Sequence, residues 1–186
     1  MSSESLVIIP TYNEAHNISR LIKQLLQVDE PVDVLVVDDG SPDGTAKIVS
    51  KLKDEFTDRV HLIERSGKLG LGTAYVRGFQ FALKREYKYV CEMDADFSHN
   101  PQDVPKLIRQ VKSGEADVAI GSRYANGISI VNWPLARLIL SYSANMYARL
   151  ITGLPIFDTT AGFKCIRREV LQEISVEMVP TGTPSR

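Results

Sequence analysis

Short apolar strand patterns alternate with amphipathic helical patterns over the first 120 residues, and this alternation limits the folds open to the chain. A polar turn and a helical period follow each of the first four strand patterns, which is typical of an α/β domain with a largely parallel sheet. We therefore expect a Rossmann-like central sheet flanked by helices. The predicted strands are residues 6–9, 32–37, 60–63, 89–93 and 116–120, and the predicted helices are residues 14–28, 43–56, 70–83 and 101–114.

Length and charge narrow the class of protein. The 186 residues suffice for one domain, and a 44% hydrophobic content argues against a largely disordered chain. A net charge of −1 provides no overall positive field, so nucleic acid is not expected as a partner. The N-terminus shows no signal-peptide pattern, and no apolar run reaches the roughly 18 residues of a spanning helix. We expect a protein that is soluble, or that contacts a membrane without crossing it.

Cysteines and histidines give little sign of chemistry. Cys91 and Cys165 lie far apart and fit no zinc-site spacing, so we expect buried, reduced thiols in a cytosolic protein. His16 and His61 are interpreted as structural. The role of His99 stays open because it lies close to a pair of acidic residues.

Polar residues cluster where the predicted strands end. In open α/β sheets, ligands bind beyond the carboxyl ends of the strands. Four such turns carry acidic, aromatic or basic side chains: PTYNE at 10–14, DDGSPDG at 38–44, DAD at 94–96 and GSRY at 121–124. We therefore expect a binding site at this edge.

Asp94 and Asp96 form the most informative of these turns. Two carboxylates two positions apart repel each other unless a cation or water screens them. Mg²⁺ commonly binds one or two carboxylates together with substrate phosphates, so the pair predicts a divalent metal site. The alternative is a solvated turn whose acidic residues cap a helix.

The other turns allow two interpretations each. Asp38 and Asp39 could accept hydrogen bonds from a base or ribose, whereas Asp43 is better explained as a helix cap. Residues 10–14 offer a rigid turn, an aromatic face and a carboxylate, but could equally be an ordinary helix N-terminus. The glycines of residues 67–72 match neither a P-loop nor a dinucleotide fingerprint, and we expect them to permit close backbone approach.

Residues 134–153 are predicted to form a helix with a narrow polar stripe on an otherwise apolar surface. Arg137, Ser141, Asn145 and Arg149 recur every four residues along it. One interpretation is a core helix with a solvated edge. The other is a helix at a membrane surface, with its arginines facing a phosphate and Trp133 at the interface.

These turns together resemble the dolichol- and polyprenol-phosphate mannosyltransferases, which are inverting members of glycosyltransferase family 2 with the GT-A fold. The resemblance covers residues 6 to about 174. The strings that carry it are PTYNE (10–14), VDDGSPDGT (37–45), LGLGTA (69–74), MDADFSH (93–99), GSRY (121–124) and DTTAGFK (158–164).

The resemblance implies transfer of mannose from GDP-mannose to a dolichyl or polyprenyl monophosphate, with Mg²⁺ or Mn²⁺ as cofactor. It places the metal on Asp94, Asp96 and Ser98, and the acceptor phosphate at Arg137 and Ser141. Asp96 and Arg123 would be the catalytic residues, and no general base is assigned. The residues implied to hold the nucleotide sugar are Pro10, Tyr12, Glu14, Val37, Asp39, Asp94, Ala95, Asp96 and Arg123.

The resemblance also implies a division of the chain. Residues 1–124 would be the nucleotide-sugar-binding half of a single domain, residues 125–175 the acceptor side and residues 176–186 a short tail. Family members continue with a further helix, a strand and a basic loop, so we expect a truncated or divergent C-terminus and incomplete closure over the diphosphate. The expected location is cytoplasmic, peripheral at the cytoplasmic face of a membrane, through the amphipathic stretch or an anchoring subunit.

Two alternatives to GDP-mannose transfer stay open. One is a related family 2 transferase that uses a UDP-sugar. The other is a nucleotide-sugar-binding protein without turnover, because the closing segment would be absent.

Overall fold

A computed structural model describes residues 3–114, 116–121 and 162–173, which contain a six-stranded sheet in the order β3-β2-β1-β4-β6-β5. The strands are β1 (Ser5–Thr11), β2 (Asp33–Asp38), β3 (Val60–Glu64), β4 (Tyr89–Glu92), β5 (Val118–Ile120) and β6 (Lys164–Arg167). The helices are α1 (Ile18–Leu25), α2 (Thr45–Glu55), α3 (Leu71–Lys84), α4 (Val104–Lys112) and α5 (Arg168–Glu173), and a 3₁₀ turn (Pro101–Asp103) precedes α4.

The five predicted strands and the four predicted helices are confirmed, with shifted ends. β1 continues through Pro10 to Thr11, past its last pair with β4 at Ile8. A proline lacking an N–H donor is tolerated where a strand has lost one neighbour. The first helix is shorter than predicted because residues 14–17 form a turn, in which the N–H groups of Asn17 and Ile18 both donate to the Glu14 carbonyl at 3.0 Å.

The interpretation of Asp43 as a helix cap is confirmed in part. Gly44 is the N-cap residue of α2, in a left-handed conformation. Asp43, one position earlier, nevertheless accepts at Oδ1 from the N–H of Thr45, the first residue of α2, at 3.0 Å, and its Oδ2 accepts from the N–H of Ala15 at 3.0 Å. These hydrogen bonds lower the pKa of Asp43, the Thr45 side chain being the largest cause. Asp43 therefore joins two turns at the carboxyl edge of the sheet.

The sheet is largely parallel, as predicted, but β6 is an exception. β1 pairs in parallel with β2 and β4, and β2 with β3, whereas β6 is antiparallel to both β4 and β5. β5 therefore runs in the same direction as β4 without contacting it as a neighbour. The sequence patterns did not predict β6, because only two of its four residues, Cys165 and Ile166, are apolar, which is too short a run to indicate a strand.

The two faces of the sheet are covered by different helices. Residues of α1, α2 and α4 form one apolar cluster with the sheet, and α3 forms the other with side chains such as Leu6, Ile8 and Val37. Cys91 and Cys165 lie opposite each other in the β4–β6 register, both buried and free of any disulfide. The expectation of buried thiols is therefore confirmed. A hydrogen bond between the two thiols, together with burial, raises the pKa of Cys91.

Among the residues that the structure describes, none of the helices has the length and apolar content needed to cross a bilayer. The predicted helix at 134–153 and the tail at 176–186 lie outside the described residues.

Candidate functional site

The turns after β1, β2 and β4 meet at the carboxyl edge of the sheet, as the sequence predicted. The first two are joined directly: the N–H of Asn13 donates to Ser41 Oγ at 3.0 Å, and the N–H of Asp39 donates to the Thr11 carbonyl at 2.9 Å. Gly40, with φ of 69°, brings the second turn against the loop after β3; a Cβ there would lie 3.2 Å from the Arg65 carbonyl oxygen.

Asp38 and Asp39 have different roles despite being adjacent. Asp38 is completely buried, and its Oδ1 accepts from Thr11 Oγ1 at 2.8 Å and from Ser41 Oγ at 2.6 Å. Its Oδ2 accepts from the N–H of Ser41 at 2.9 Å. Both carboxylate oxygens of Asp38 therefore stabilise the turn. Asp39, and not Asp38, lines a cleft.

Asp39 forms a buried ion pair with Arg65, the residue that follows β3. The Arg65 Nε lies 2.5 Å from Asp39 Oδ1, and both side chains are at most 9% exposed. Arg65 also donates to Thr73 Oγ1 at 2.7 Å and to the Gly70 carbonyl at 3.1 Å. Arg65 thus connects the ends of β2 and β3 with the start of α3. Arg65 is not among the residues predicted for the site, although its position directly after a strand is a signal that could have indicated it.

A small cleft of about 120 Å³ lies beside this ion pair and brings together Pro10, Tyr12 and Asp39 from the predicted site. The Tyr12 side chain is 40% exposed, and the Lys68 ammonium lies 4.7 Å from its ring centroid. A flat aromatic face, a carboxylate and a cation are groups that can contact a base, a ribose and a phosphate. The remaining lining residues are Thr11, Lys68, Gly70, Leu71 and Ala74.

Val37 and Glu14 are placed differently from these three residues. The Val37 side chain is fully buried in the core on the α3 side, so only its backbone could contact a ligand. Glu14 is partly buried; its N–H donates to Thr45 Oγ1 at 3.0 Å, and its Oε2 accepts from Asn17 Nδ2 at 3.0 Å.

Asp94, Ala95 and Asp96 form the turn directly after β4. Asp94 is partly buried, Ala95 is buried and Asp96 is exposed. The Tyr75 hydroxyl, from α3, donates to Asp94 Oδ1 at 3.4 Å, and the N–H of Ser98 donates to Asp96 Oδ1 at 2.9 Å. Phe97 adopts a left-handed φ of 58° between Asp96 and Ser98, which makes the turn tight.

A partly buried ion pair precedes the Asp94 turn, since Glu92 is the last residue of β4. Lys164 Nζ on β6 is 3.0 Å from Glu92 Oε2 on β4, and Glu92 is 4% exposed. Burial raises the pKa of Glu92, while Lys164 lowers it in part. The lysine thereby offsets negative charge next to Asp94.

The two-carboxylate turn fits a hard divalent cation whose other ligands come from a substrate. Carboxylate oxygens are the donors that Mg²⁺ and Mn²⁺ prefer, and Mg²⁺ sites often combine one or two of them with phosphates. No cluster of three or more His, Cys, Asp or Glu side chains suited to a metal occurs in the part of the chain that the structure describes. Gly162 lies against this turn, because a Cβ there would be 2.5 Å from Asp94 Oδ2.

A larger cavity, of about 530 Å³, lies beside Arg65 at the end of β3 and contains none of the predicted site residues. Its lining combines apolar, acidic and basic side chains: Ile63, Glu64, Arg65, Ser66, Leu69, Thr73 and Arg77. The predicted site residues Arg123, Arg137 and Ser141 lie outside the described residues.

Comparison with protein-family models gives a match to "Glycosyl transferase family 2" over residues 6–175. The chain is 47% identical to a polyprenol monophosphomannose synthase of Mycolicibacterium smegmatis, over 96% of this chain and 67% of the relative. It is 41% identical to an undecaprenyl-phosphate mannosyltransferase of Micrococcus luteus, over 94% of this chain and 70% of the relative. A dolichol-phosphate mannosyltransferase of Pyrococcus furiosus is 38% identical over 95% of this chain, which spans only 49% of that protein.

Solved structures confirm the expected fold class. A mannosyltransferase of Pyrobaculum calidifontis, in complex with GDP-Man and Mn²⁺, superposes with a TM-score of 0.64 at 21% identity, over 94% of this chain and 47% of that one. Glucosyl-3-phosphoglycerate synthase of Mycobacterium tuberculosis, in complex with UDP, gives a TM-score of 0.63 at 21% identity, over 89% of this chain and 57% of that one. Both are glycosyltransferases with the GT-A fold.

Proposed function

The chain belongs to glycosyl transferase family 2, and from this we propose that it transfers mannose from GDP-mannose to a polyprenyl or dolichyl monophosphate, with inversion at the sugar carbon. The observation that carries the proposal is the 47% identity to a polyprenol monophosphomannose synthase over nearly the whole chain. The polar turns at the carboxyl edge of the sheet supply the chemistry that such a reaction requires.

The nucleotide is assigned to the cleft between the ends of β1 and β2. Tyr12 offers a ring face, and Asp39 offers a carboxylate whose position is fixed by Arg65. Pro10 holds the first turn rigid. Glu14 and Val37 belong to the same assignment, Val37 through its backbone because its side chain is buried.

A divalent cation is assigned to Asp94 and Asp96, with Ser98 next to them and Ala95 contributing its backbone to the diphosphate. When bound, such a cation stabilises the negative charge that develops on the leaving diphosphate. Structures of the same fold hold Mn²⁺ together with a nucleotide sugar, GDP-Man in one and UDP-Glc in another, which supports a divalent ion, Mg²⁺ or Mn²⁺, at this turn.

The main task of the protein's residues is then to position two anionic groups, the acceptor phosphate and the diphosphate of the donor. The attacking group is a phosphate oxygen that already carries negative charge, so the reaction needs orientation and charge compensation more than a general base. Asp96 acts at the diphosphate, and Arg123 is assigned to compensate charge there. Arg137 and Ser141, one helical turn apart in the predicted helix, are assigned to the acceptor phosphate.

The division of labour along the chain follows from these assignments. Residues 1–124 bind the nucleotide sugar, and residues 125–175 serve the acceptor. A lipid-linked acceptor places the protein at a membrane surface, for which we propose the cytoplasmic face, with or without an anchoring subunit.

The decisive experiment combines a donor panel with acceptor dependence. Purified protein is incubated with Mn²⁺, a polyprenyl phosphate and either GDP-mannose, GDP-glucose, UDP-glucose or UDP-N-acetylglucosamine, and lipid product is measured by mass spectrometry. Mannosyl lipid from GDP-mannose alone supports the proposal. Product from a UDP-sugar instead would favour the second candidate, for which the structural similarity to a UDP-binding synthase is the specific observation. Nucleotide binding without any product would favour a binding protein without turnover.

A further inference from the structure

Two residues from distant parts of the sequence lie next to the Asp94 carboxylate, Tyr75 on α3 and Gly162 before β6. We propose that Tyr75 and Gly162 are positioning residues that hold the Asp94 carboxylate in the orientation needed for a divalent cation. The inference rests on the proposed function, because it assumes that Asp94 is a metal ligand. It adds two residues from distant parts of the sequence to the machinery of that site.

Tyr75 reaches Asp94 from within the core. Its side chain is only 8% exposed and belongs to the apolar cluster between α3 and the sheet, where its ring stacks on Phe79 at a centroid distance of 6.3 Å. A buried tyrosine hydroxyl requires a hydrogen-bond partner, and here it donates to Asp94 Oδ1 at 3.4 Å. Because packing fixes the ring, the hydroxyl provides a rigid reference point for the carboxylate.

Gly162 lies against the same carboxylate and leaves room for it. Cys91 faces Cys165 and Glu92 faces Lys164 in the antiparallel β4–β6 register, so two further steps bring Asp94 opposite Gly162. A Cβ on Gly162 would lie 2.5 Å from Asp94 Oδ2 and 2.8 Å from Oδ1, closer than such atoms can approach. The absence of a side chain at Gly162 is therefore what allows the carboxylate to occupy its place.

The physical effect of such contacts is known from metal sites in general. Residues that hydrogen-bond a ligand, without touching the metal, fix the ligand's orientation, and their removal commonly weakens metal affinity by about 10- to 100-fold. The long Tyr75–Asp94 distance argues for the lower end of this range, about tenfold.

The first test replaces the hydroxyl and keeps the ring. Tyr75→Phe is compared with Tyr87→Phe, since Tyr87 is also buried and also donates to an aspartate, Asp33, at 2.8 Å, but at the opposite edge of the sheet. Mn²⁺ affinity is measured by electron paramagnetic resonance with GDP present, together with the midpoint of urea unfolding and the Mn²⁺ concentration giving half-maximal transfer. We expect Tyr75→Phe to weaken Mn²⁺ binding about tenfold, and Tyr87→Phe to lower stability while keeping wild-type Mn²⁺ affinity.

The second test introduces the methyl group. Gly162→Ala is compared with Gly78→Ala, where the added Cβ would meet Ile8 Cγ2 at 2.6 Å in the core instead of a carboxylate. Both variants crowd a close contact, so both should unfold at lower urea concentration. Weaker Mn²⁺ binding is expected for Gly162→Ala alone.

Asp94→Asn separates failure of this inference from failure of the proposed function. If Asp94→Asn loses Mn²⁺ affinity while Tyr75→Phe and Gly162→Ala stay within twofold of wild type, the two residues are merely structural and the inference is wrong. If Asp94→Asn keeps wild-type Mn²⁺ affinity, Asp94 is not a metal ligand, and both the metal assignment and the inference are wrong.

Discussion

Aspartates at the two edges of the sheet differ in their surroundings. Asp33 begins β2 at the amino edge and is completely buried. Asp39 and Asp94 follow strands at the carboxyl edge, where Asp39 lines a cleft and Asp94 is partly exposed. Asp33 accepts from the Tyr87 hydroxyl at 2.8 Å and from Arg59 Nε at 3.2 Å. At the carboxyl edge, an arginine and a tyrosine contact two different aspartates. Arg65 pairs with Asp39, and Tyr75 donates to Asp94.

The comparison shows that residue type does not distinguish an aspartate whose partners lie within the fold from one that lies beside a cleft or in an exposed turn. At the amino edge, the acceptor capacity of one carboxylate is used by neighbours within the fold, so the cluster contributes to stability. At the carboxyl edge, rigid neighbours orient two carboxylates beside a cleft and an exposed turn, where substrate groups can still reach them. The predictions below test whether the two edges separate in this way.

The largest effect is expected at the amino edge. Asp33→Ala removes the carboxylate that accepts from the buried Tyr87 hydroxyl and from Arg59 Nε, and should lower the free energy of unfolding by about 2–4 kcal/mol. GDP affinity of the folded protein should stay within about twofold of wild type, because the change lies at the edge away from the cleft. Urea unfolding and calorimetry measure the two quantities, and a large loss of GDP affinity would contradict the separation.

The next largest effect is expected for binding at the carboxyl edge. Asp96→Asn removes one charged ligand and should weaken GDP binding in the presence of Mn²⁺ by roughly 1–3 kcal/mol. Because Asp96 is exposed, the free energy of unfolding should change little. Titration calorimetry with Mn²⁺ and with EDTA checks this, and equal GDP affinity in both solutions would rule out a metal-dependent site.

The two arginines provide a matched pair. Arg65→Met should weaken GDP binding by about 1 kcal/mol, since Asp39 and the start of α3 lose their common donor. Arg59→Met removes the corresponding arginine–aspartate contact at the amino edge, which is longer at 3.2 Å and more exposed, and should lower stability without weakening GDP binding. The same binding and unfolding measurements on both variants suffice, and similar loss of GDP affinity in both would show that Arg65 has no special role.

The smallest effect concerns pH at the amino edge. Burial lowers the pKa of His61, helped by the positive charge of Arg85, so the unfolded chain binds a proton in a range where the folded protein does not. Stability conferred by neutral His61 is therefore complete above the unfolded-state pKa of about 6.5 and decreases as the pH falls below it. His61→Gln should flatten the decline in unfolding free energy between about pH 7.5 and pH 5.5. If the unfolding free energy of the variant declines with falling pH as steeply as that of the wild type, groups other than His61 cause the decline.

Local patterns were sufficient for much of the fold. Alternating strand and helix periods gave the four βα units, and the shared direction of their strands explains why the turns at Pro10, Asp39 and Asp94 meet at one edge. Helix ends were less predictable: Asp43 bonds across to the turn at Ala15, a contact between chain segments that no local signal contains.

The sequence by itself determined the α/β architecture, the edge at which the site forms and the acidic turn at 94–96, because each depends on residues close together in the chain. Only the tertiary structure decided that Arg65 joins Asp39, that Cys91 faces Cys165 and that Gly162 lies against Asp94. The Arg65–Asp39 contact follows from the register of β2 with β3. The other two depend on the pairing of β6 with β4, whose residues are more than 70 positions apart, and strand register between such distant segments is fixed by packing of the whole sheet.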